Sequence, residues 1–457
     1  MTDAPSLRHL AHALDTGETT SRALVETCLE RIADPAGEGQ RVYLKLHATA
    51  ARQAADAFDQ LRQSGLHPHP LAGVPISIKD LLDEAGQVTR AGSRLLADAA
   101  PAERDALVVT RLRAAGLIVL GRTNMTEFAF SGVGLNPHHG TPLNPWDRAT
   151  GRIPGGSSSG AAVSVTDGMA YAAIGTDTGG SCRIPAAVCG LVGFKPTARR
   201  VPRDGVFPLA YSLDSVGPLA RTVDDCAMLD AILSGTPMEP LPAGSDVAGL
   251  RLGVPTTVGL DGMDADVTAA FTRALDRLSQ AGARIIEVPV PAIAALADLN
   301  AQGGLSAAES YAIHRTRLAE AAEAFDPRVR VRIERGAAMG AADLVDVQRG
   351  RIDLSRQFHD ALAPFDAFVW PTVPTVAPPV DALRAEADYV AINMRMLRNP
   401  SVVNMMDACA LSLPCHTPGD APVGLMLIGP HGGDRRLLAL AQAVEGAVGT
   451  AAIGQAP

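Results

Sequence analysis

Leu107-Val108-Val109-Thr110-Arg111-Leu112-Arg113-Ala114-Ala115-Gly116-Leu117-Ile118-Val119-Leu120-Gly121 reads as a helix, a glycine turn and a buried strand in immediate succession. Upstream, Gly73-Val74-Pro75-Ile76-Ser77-Ile78-Lys79 reads as another short buried strand. Before it the spacing predicts helices over 7–14, over a segment opened by Thr19-Thr20, and over 48–64, the last ended by Gly65. Downstream, residues 132–160 are dense in Gly, Pro, Asn and His, where loops are expected. Beyond them come a helix over 161–165, a strand over 172–175 and a helix over 223–233. A strand at 250–254, a helix at 265–281 and a strand at 284–288 follow. The remainder reads as a helix-rich stretch over 293–362, a strand at 367–371, a helix near 401–407, a strand at 423–428 and a closing helix at 435–448. Alternation of this kind defines an α/β protein. No linker and no internal repeat divides it, so the expectation is one large α/β domain over residues 1–457 with a helical insertion at about 293–362.

The composition excludes several function classes. The 457 residues carry 49 acidic and 40 basic side chains, a formal charge of -9, and no basic run able to neutralise phosphates, so nucleic acid is not an expected partner. No stretch approaches the roughly 18 uninterrupted apolar residues of a membrane span, and Met1-Thr2-Asp3-Ala4-Pro5 does not resemble the start of a secretory leader. A soluble cytoplasmic protein is expected. Six cysteines, at 28, 182, 189, 226, 409 and 415, form no C-x-x-C pair, which fits buried thiols rather than disulfides or a zinc site. Neither H-E-x-x-H nor G-x-x-x-x-G-K-[ST] occurs, so neither a metal nor an organic cofactor is implied. Lysine is scarce: Lys45, Lys79 and Lys195 are the only three, and arginine supplies the rest of the 40 basic residues. Where such a chain keeps lysine, the site can need an amine able to lose its proton, which a guanidinium does not do.

Two glycine-serine clusters carry the candidate chemistry, Gly155-Gly156-Ser157-Ser158-Ser159-Gly160 and Gly175-Thr176-Asp177-Thr178-Gly179-Gly180-Ser181. Both read as tight loops entering helices, where successive backbone N–H groups can hold an anion, including an oxyanion that forms only in acyl transfer. Glycine-rich turns without chemistry account for either cluster taken alone. A serine nucleophile needs a base, and two kinds are available. Residues 156–160 match G-x-S-x-G, with Ser158 as nucleophile and a downstream histidine as base, but the preceding segment is polar and broken by Gly and Pro, unlike the strand that such an elbow follows. The other base is Lys79, at the end of an expected buried strand, where desolvation disfavours its charge. No S-x-x-K is present.

These residues, in this order, resemble the amidase signature family: Gly73-Val74-Pro75 with Lys79-Asp80, Gly155-Gly156-Ser157-Ser158, and Gly175 through Ser181 with Arg183 and Pro185. Supporting pieces are Gly121-Arg122-Thr123-Asn124-Met125-Thr126-Glu127-Phe128, Gly193-Phe194-Lys195-Pro196-Thr197 and Pro422-Val423-Gly424-Leu425-Met426-Leu427-Ile428-Gly429. The resemblance spans nearly the whole chain and is densest over about 71–220. It implies one α/β/α domain with a central twisted mixed sheet, and hydrolysis of a small-molecule carboxylic amide, or a related ester or carbamate, without cofactor or metal. It also implies a triad in which Ser181 is nucleophile, Ser157 the bridging serine after a cis peptide, and Lys79 the base; the two serines stand 24 positions apart, as the family pattern requires. Backbone amides of Thr178, Gly179, Gly180 and Ser181 are expected at the oxyanion, Phe128 to Ser131 (Phe128 and Ala129 foremost) at the acyl pocket wall, and Ser158, Asp177 and Arg183 as structural support. Cys182 is expected as a buried filler, and His138 and His139 as loop scaffolding.

The chain departs from the family in places. Ser159 and Ala161 replace a common Gly and Ser, and Asn404-Met405-Met406-Asp407-Ala408-Cys409-Ala410 stands for N-x-x-G-x-P-A. Relatives that hydrolyse glutamine for tRNA-dependent amidation carry an Asp a little upstream of that motif, where an ungapped count gives Leu397. A free-standing amidase is therefore expected. The alternatives are the glutamine-hydrolysing A chain of such an amidotransferase, which would need partner chains, and an inactive binding or scaffold protein of the same fold. A homodimer stays open.

Overall fold

A computed structural model of the chain describes residues 5–66, 69–241 and 246–449. The reading of the first residues as free of a leader falls largely on residues 1–4, outside the described ones. The strands are β1 (Tyr43–Leu46), β2 (Pro75–Lys79), β3 (Ile118–Thr123), β4 (Ala172–Asp177), β5 (Val192–Lys195), β6 (Ser215–Ala220), β7 (Arg251–Pro255), β8 (Arg284–Val288), β9 (Ala367–Pro371), β10 (Cys409–Pro414) and β11 (Gly424–Gly429). They form one 11-stranded sheet in the order β1-β3-β2-β4-β6-β5-β10-β11-β9-β7-β8. The sheet is mixed: β3, β2 and β4 run parallel, as do β9, β7 and β8, while the strands between them pair antiparallel.

Both faces of the sheet are covered, which is why its inner strands are apolar runs rather than alternating ones. In β3, Ile118 and Leu120 join one hydrophobic cluster and Val119 the other. Helices Ser21–Ala33, Ser159–Thr166 and Arg183–Val188 belong to the first cluster; Leu107–Ala114, Val223–Ser234 and Asp434–Val448 belong to the second. Local chemistry sets the helix ends. Thr20 accepts from Ala23 N at the start of Ser21–Ala33, and Thr222 from Asp225 N at the start of Val223–Ser234, whose far end closes on Gly235 at φ 72°.

The expected strand over 284–288 and the one over 367–371 are found at those residues, and residues 291–362 are mostly helical. Four strands were not legible: β1, β5, β6 and β10. In β6, Ser215-Val216-Gly217-Pro218-Leu219-Ala220, a glycine and a proline argue against a strand, yet Pro218 sits opposite Ile174 in a central position. The helix expected near 401–407 is corrected. It runs Glu386–Met405 with Pro400 inside, and it ends before Asp407, which adopts φ 50°. The internal proline hides the continuity of that helix from a sequence reading.

Candidate active site

β2 and β4 lie side by side and parallel, and the candidate residues gather at and beyond their C-terminal ends, where open α/β sheets hold ligands. Lys79 closes β2 with no solvent exposure. Its Nζ donates to Ser157 Oγ at 2.7 Å and to Thr176 Oγ1 at 2.9 Å, and no carboxylate pairs with it among the described residues. Burial pulls its pKa down to about 8, against the opposing fields of Cys182, Asp177 and Asp214. The adjacent Asp80 is bound elsewhere: its Oδ1 accepts from Arg122 Nε at 2.8 Å and its Oδ2 from Gly92 N at 3.1 Å.

Ser157 lies in the loop that enters helix Ser159–Thr166, and the Gly156–Ser157 peptide bond is cis, as the resemblance implies. Gly156 donates its N–H to Gly132 O at 2.8 Å, and a Cβ on Gly156 would lie 2.6 Å from Gly134 N, so only glycine fits. Ser158 is fully buried and its hydroxyl donates to Thr176 O at 3.3 Å. Among the described residues no histidine bonds to it, which leaves the G-x-S-x-G elbow without a base.

The loop after β4 carries Ser181 and is folded around Asp177. Asp177 Oδ1 accepts from Gly180 N at 2.8 Å, and Oδ2 from Cys182 N at 3.1 Å. Arg183 forks onto the same carboxylate, Nε to Oδ2 at 3.0 Å and Nη2 to Oδ1 at 2.9 Å. Although burial pushes the Asp177 carboxyl up, the Arg183 guanidinium and the Asn404 amide hold it well below the usual range. Ser181 sits at the turn so formed with 3% exposure. Gly180 adopts φ 126°, and a Cβ there would lie 2.6 Å from Pro400 Cβ.

The oxyanion expectation is modified at Gly180, whose N–H donates to Asp177 and helps shape the loop. Thr178 and Gly179 line a cavity of about 230 Å³. Of the residues expected at the acyl pocket wall, Phe130 and Ser131 line that cavity, while Phe128 and Ala129, at φ 49° and 61°, are not among its lining residues. The Phe128 ring packs 4.1 Å from His314 and 5.5 Å from Phe325 between ring centroids. Cys182 is a buried filler whose thiol donates to Gly217 O at 3.6 Å. His138 meets Glu127 at 2.8 Å, a carboxylate partner that the sequence did not reveal.

Two groups around the site were missed by sequence reasoning. Asn404 donates through Nδ2 to Asp177 Oδ1 at 2.9 Å and accepts at Oδ1 from Arg183 Nη2 at 2.7 Å. The quoted motif around Asn404 was the available signal. Asp214 accepts from Thr178 Oγ1 at 2.5 Å and from the N–H groups of Leu209 and Ala210 at 3.1 Å. Burial pushes it up to about 6. Among the described residues no group of three or more His, Cys, Asp or Glu is placed to hold a metal, and no helix is long and apolar enough to cross a membrane.

A buried lysine bonded to a serine lies beside a glycine-rich loop at the C-terminal ends of parallel strands of a mixed α/β sheet. The Amidase family model matches residues 23–438, and the chain belongs to that family. It is 38% identical over 452 residues to the 2-amino-5-chloromuconic acid deaminase of Comamonas testosteroni, covering 97% of this chain and 96% of that protein. It is also 35% identical over 470 residues to the A chain of the glutamyl-tRNA(Gln) amidotransferase of Chromohalobacter salexigens, covering 95% of each. Among solved structures, an amidase superposes with a TM-score of 0.88 at 34% identity, covering 97% of this chain and 100% of its own. The chain is an amidohydrolase acting on C–N bonds.

Proposed function

We propose that the chain hydrolyses a small-molecule carboxylic amide through an acyl-enzyme on Ser181. The observation that carries this reading is the buried Lys79, hydrogen-bonded to Ser157 and unpaired by any carboxylate among the described residues. Neutral Lys79 accepts the Ser157 proton, Ser157 accepts that of Ser181, and the Ser181 oxygen attacks the amide carbonyl. The carbonyl oxygen takes the negative charge opposite the backbone amides of Thr178, Gly179 and Ser181. The relay then returns a proton to the nitrogen, the C–N bond breaks, and the amine leaves. Water, deprotonated by the same relay, attacks the acyl ester; the acid departs and Ser181 regains its proton.

The proposed catalytic groups fall within residues 71–220, the expected core, and the helical stretch 293–362 adds wall to the cavity. With base and oxyanion donors supplied by the chain, the reading needs no metal or organic cofactor. Six free, buried cysteines support a cytoplasmic setting. A homodimer without nucleic acid is the assembly to test. Leu397 in the cavity wall favours a free-standing amidase over a member of a transamidation complex. An alkyl fluorophosphonate, followed by peptide mapping, tests the central claim: the tag is expected on Ser181, and a tag on Ser158 with none on Ser181 overturns it. Turnover of an amide panel, read by ammonia or amine release, excludes the inactive-scaffold alternative.

A further inference from the structure

The loop that carries Ser181 is tied down by two carboxylates, and Asp177 is only the first. The second is Asp214, which the sheet itself delivers. β4 and β6 pair antiparallel, and their last rung joins Asp177 to Ser215. The next rung would set Thr178 opposite Asp214. There the strands have ended and a side-chain bond takes the place of the ladder, Thr178 Oγ1 donating to Asp214 Oδ1 at 2.5 Å. The peptide just before Thr178 is clamped as well: Asp177 O accepts from Ser215 Oγ at 2.9 Å and from Asn404 Nδ2 at 3.1 Å. In a trans peptide the N–H points away from the C=O, so a carbonyl held on one side turns the Thr178 N–H to the other.

Asp214 has a further attachment. Its Oδ2 accepts from the N–H groups of Leu209 and Ala210 at 3.1 Å, and Leu209 and Leu213 line the cavity together with Thr178 and Gly179. The segment between them is closed on itself, the N–H groups of Leu213 and Asp214 both donating to Ala210 O, at 3.0 and 2.9 Å. From outside it is braced at Ser212, which donates its N–H to Glu309 Oε2 at 2.9 Å and accepts at its carbonyl from Arg351 Nη1 at 3.3 Å. No cation pairs with Asp214 among the described residues, so this buried carboxylate depends on the Thr178 hydroxyl and the two wall amides for its stabilisation. One side chain thus joins the backbone of the Ser181 loop to the wall of the cavity.

We propose that Asp214 is a positioning residue that couples the two: an acyl chain long enough to press on Leu209 and Leu213 seats Asp214, and through the Thr178 hydroxyl brings the Thr178 and Gly179 amides into line with the oxyanion. Contact at the wall then raises kcat and does not merely lower KM, because remote binding energy is converted into alignment at the reacting carbonyl. The inference rests on the acyl-enzyme reading above for where that carbonyl lies.

The test is kcat and KM for the unbranched aliphatic amides from acetamide to hexanamide. In the wild type kcat is expected to rise by at least about 10-fold along the series. Thr178→Val keeps the shape of the side chain and removes the donor; its kcat on the longest amide is expected to fall about 10-fold, to the level of acetamide, while KM keeps its dependence on length. Thr178→Ser, which restores the hydroxyl, is expected to recover the rise in kcat. Asp214→Asn sets an NH2 group among donors and is expected to act as Thr178→Val does, the double variant losing no more than the worse single one. A merely structural role for Asp214 would lower Tm and reduce kcat by one factor for every amide, which overturns the proposal. So does a wild-type kcat that is flat along the series, or a Thr178→Val kcat within about threefold of wild type on the longest amide. Should Asp214→Asn fail to fold, the two Thr178 variants decide the matter. Absence of a fluorophosphonate label on wild-type Ser181 would instead undo the acyl-enzyme reading, whereas a labelled Ser181 with a flat kcat series overturns the coupling alone.

Discussion

At the residue scale, the proposed mechanism turns on how burial eases the loss of a proton from Lys79. Burial without a carboxylate partner lowers its pKa from 10.5 to about 8, so the amine is mostly charged at neutral pH and mostly neutral above about 8. The proposed base therefore predicts that kcat/KM falls as pH drops through about 8, following one protonation. Lys79→Arg should fail as completely as Lys79→Ala, since a guanidinium stays charged. Loss of activity on replacing His314, His359, His416 or His431, with Lys79→Ala near normal, would restore the elbow with Ser158. The linkage has a sign of its own. The unfolded chain binds the Lys79 proton more tightly, so this group lowers stability as pH falls from 10.5 through 8, by on the order of 3 kcal/mol once fully expressed. Lys79→Met, which removes the buried charge and two hydrogen bonds of about 1 kcal/mol each, should be inactive with a Tm at pH 7 no lower than wild type. Thermal unfolding of the two proteins checks it. Lys79 was legible because lysine is scarce and ends an apolar run. Asp214 was not, since nothing local ties it to Thr178, 36 positions earlier.

At the scale of elements, the loop that carries Ser181 is held between β4 and the helix Glu386–Met405. That helix brings Asn404 to Asp177 across 227 positions of sequence and lends Pro400 O to Arg183 Nη2 at 3.0 Å. Its last turn is where the chain departs from N-x-x-G-x-P-A. Asp407 takes the left-handed conformation that a glycine would adopt there, tolerable for an aspartate, and its Oδ1 accepts from Ala198 N at 3.2 Å. Strong periodic helices and isolated apolar strands were readable because each carries its own signal. β5 and β6 were not, because their burial comes from neighbouring strands rather than from a pattern within four to six residues. Asn404→Ala leaves the Asp177–Arg183 pair in place and removes its third partner. It should cost about 1–3 kcal/mol of stability and lower kcat more than KM through a loosened Ser181 loop, measurable by steady-state kinetics beside thermal unfolding. Asp177→Ala should be far worse, about 3–5 kcal/mol, because Arg183 is left buried and unpaired. Equal effects of the two substitutions would contradict this division of labour.

At the scale of the whole molecule, the chain is similar over nearly its full length both to a 2-amino-5-chloromuconic acid deaminase and to the A chain of a glutamyl-tRNA(Gln) amidotransferase. Fold therefore cannot choose between them, and the cavity and the charge distribution must. Glutamine presents an ammonium beside its carboxylate. In this chain Leu397 lines the cavity, and none of its walls carries an acid to meet that ammonium. Leaving a charged group unpaired in such a site is strongly disfavoured, and sites built around a particular polar pattern reject an analogue that mismatches it far more sharply than one differing by a methylene. The formal charge of -9, with no basic run, likewise argues against docking a tRNA. The isolated chain is accordingly expected to hydrolyse free glutamine at no more than about one hundredth of its rate on simple apolar amides of similar length, a discrimination of roughly 3 kcal/mol. Ammonia release from glutamine and from those amides, measured at equal concentrations on one enzyme preparation, provides the comparison. Comparable rates would mean that the ammonium finds a partner in the cavity after all, and would return the chain to the amidotransferase reading.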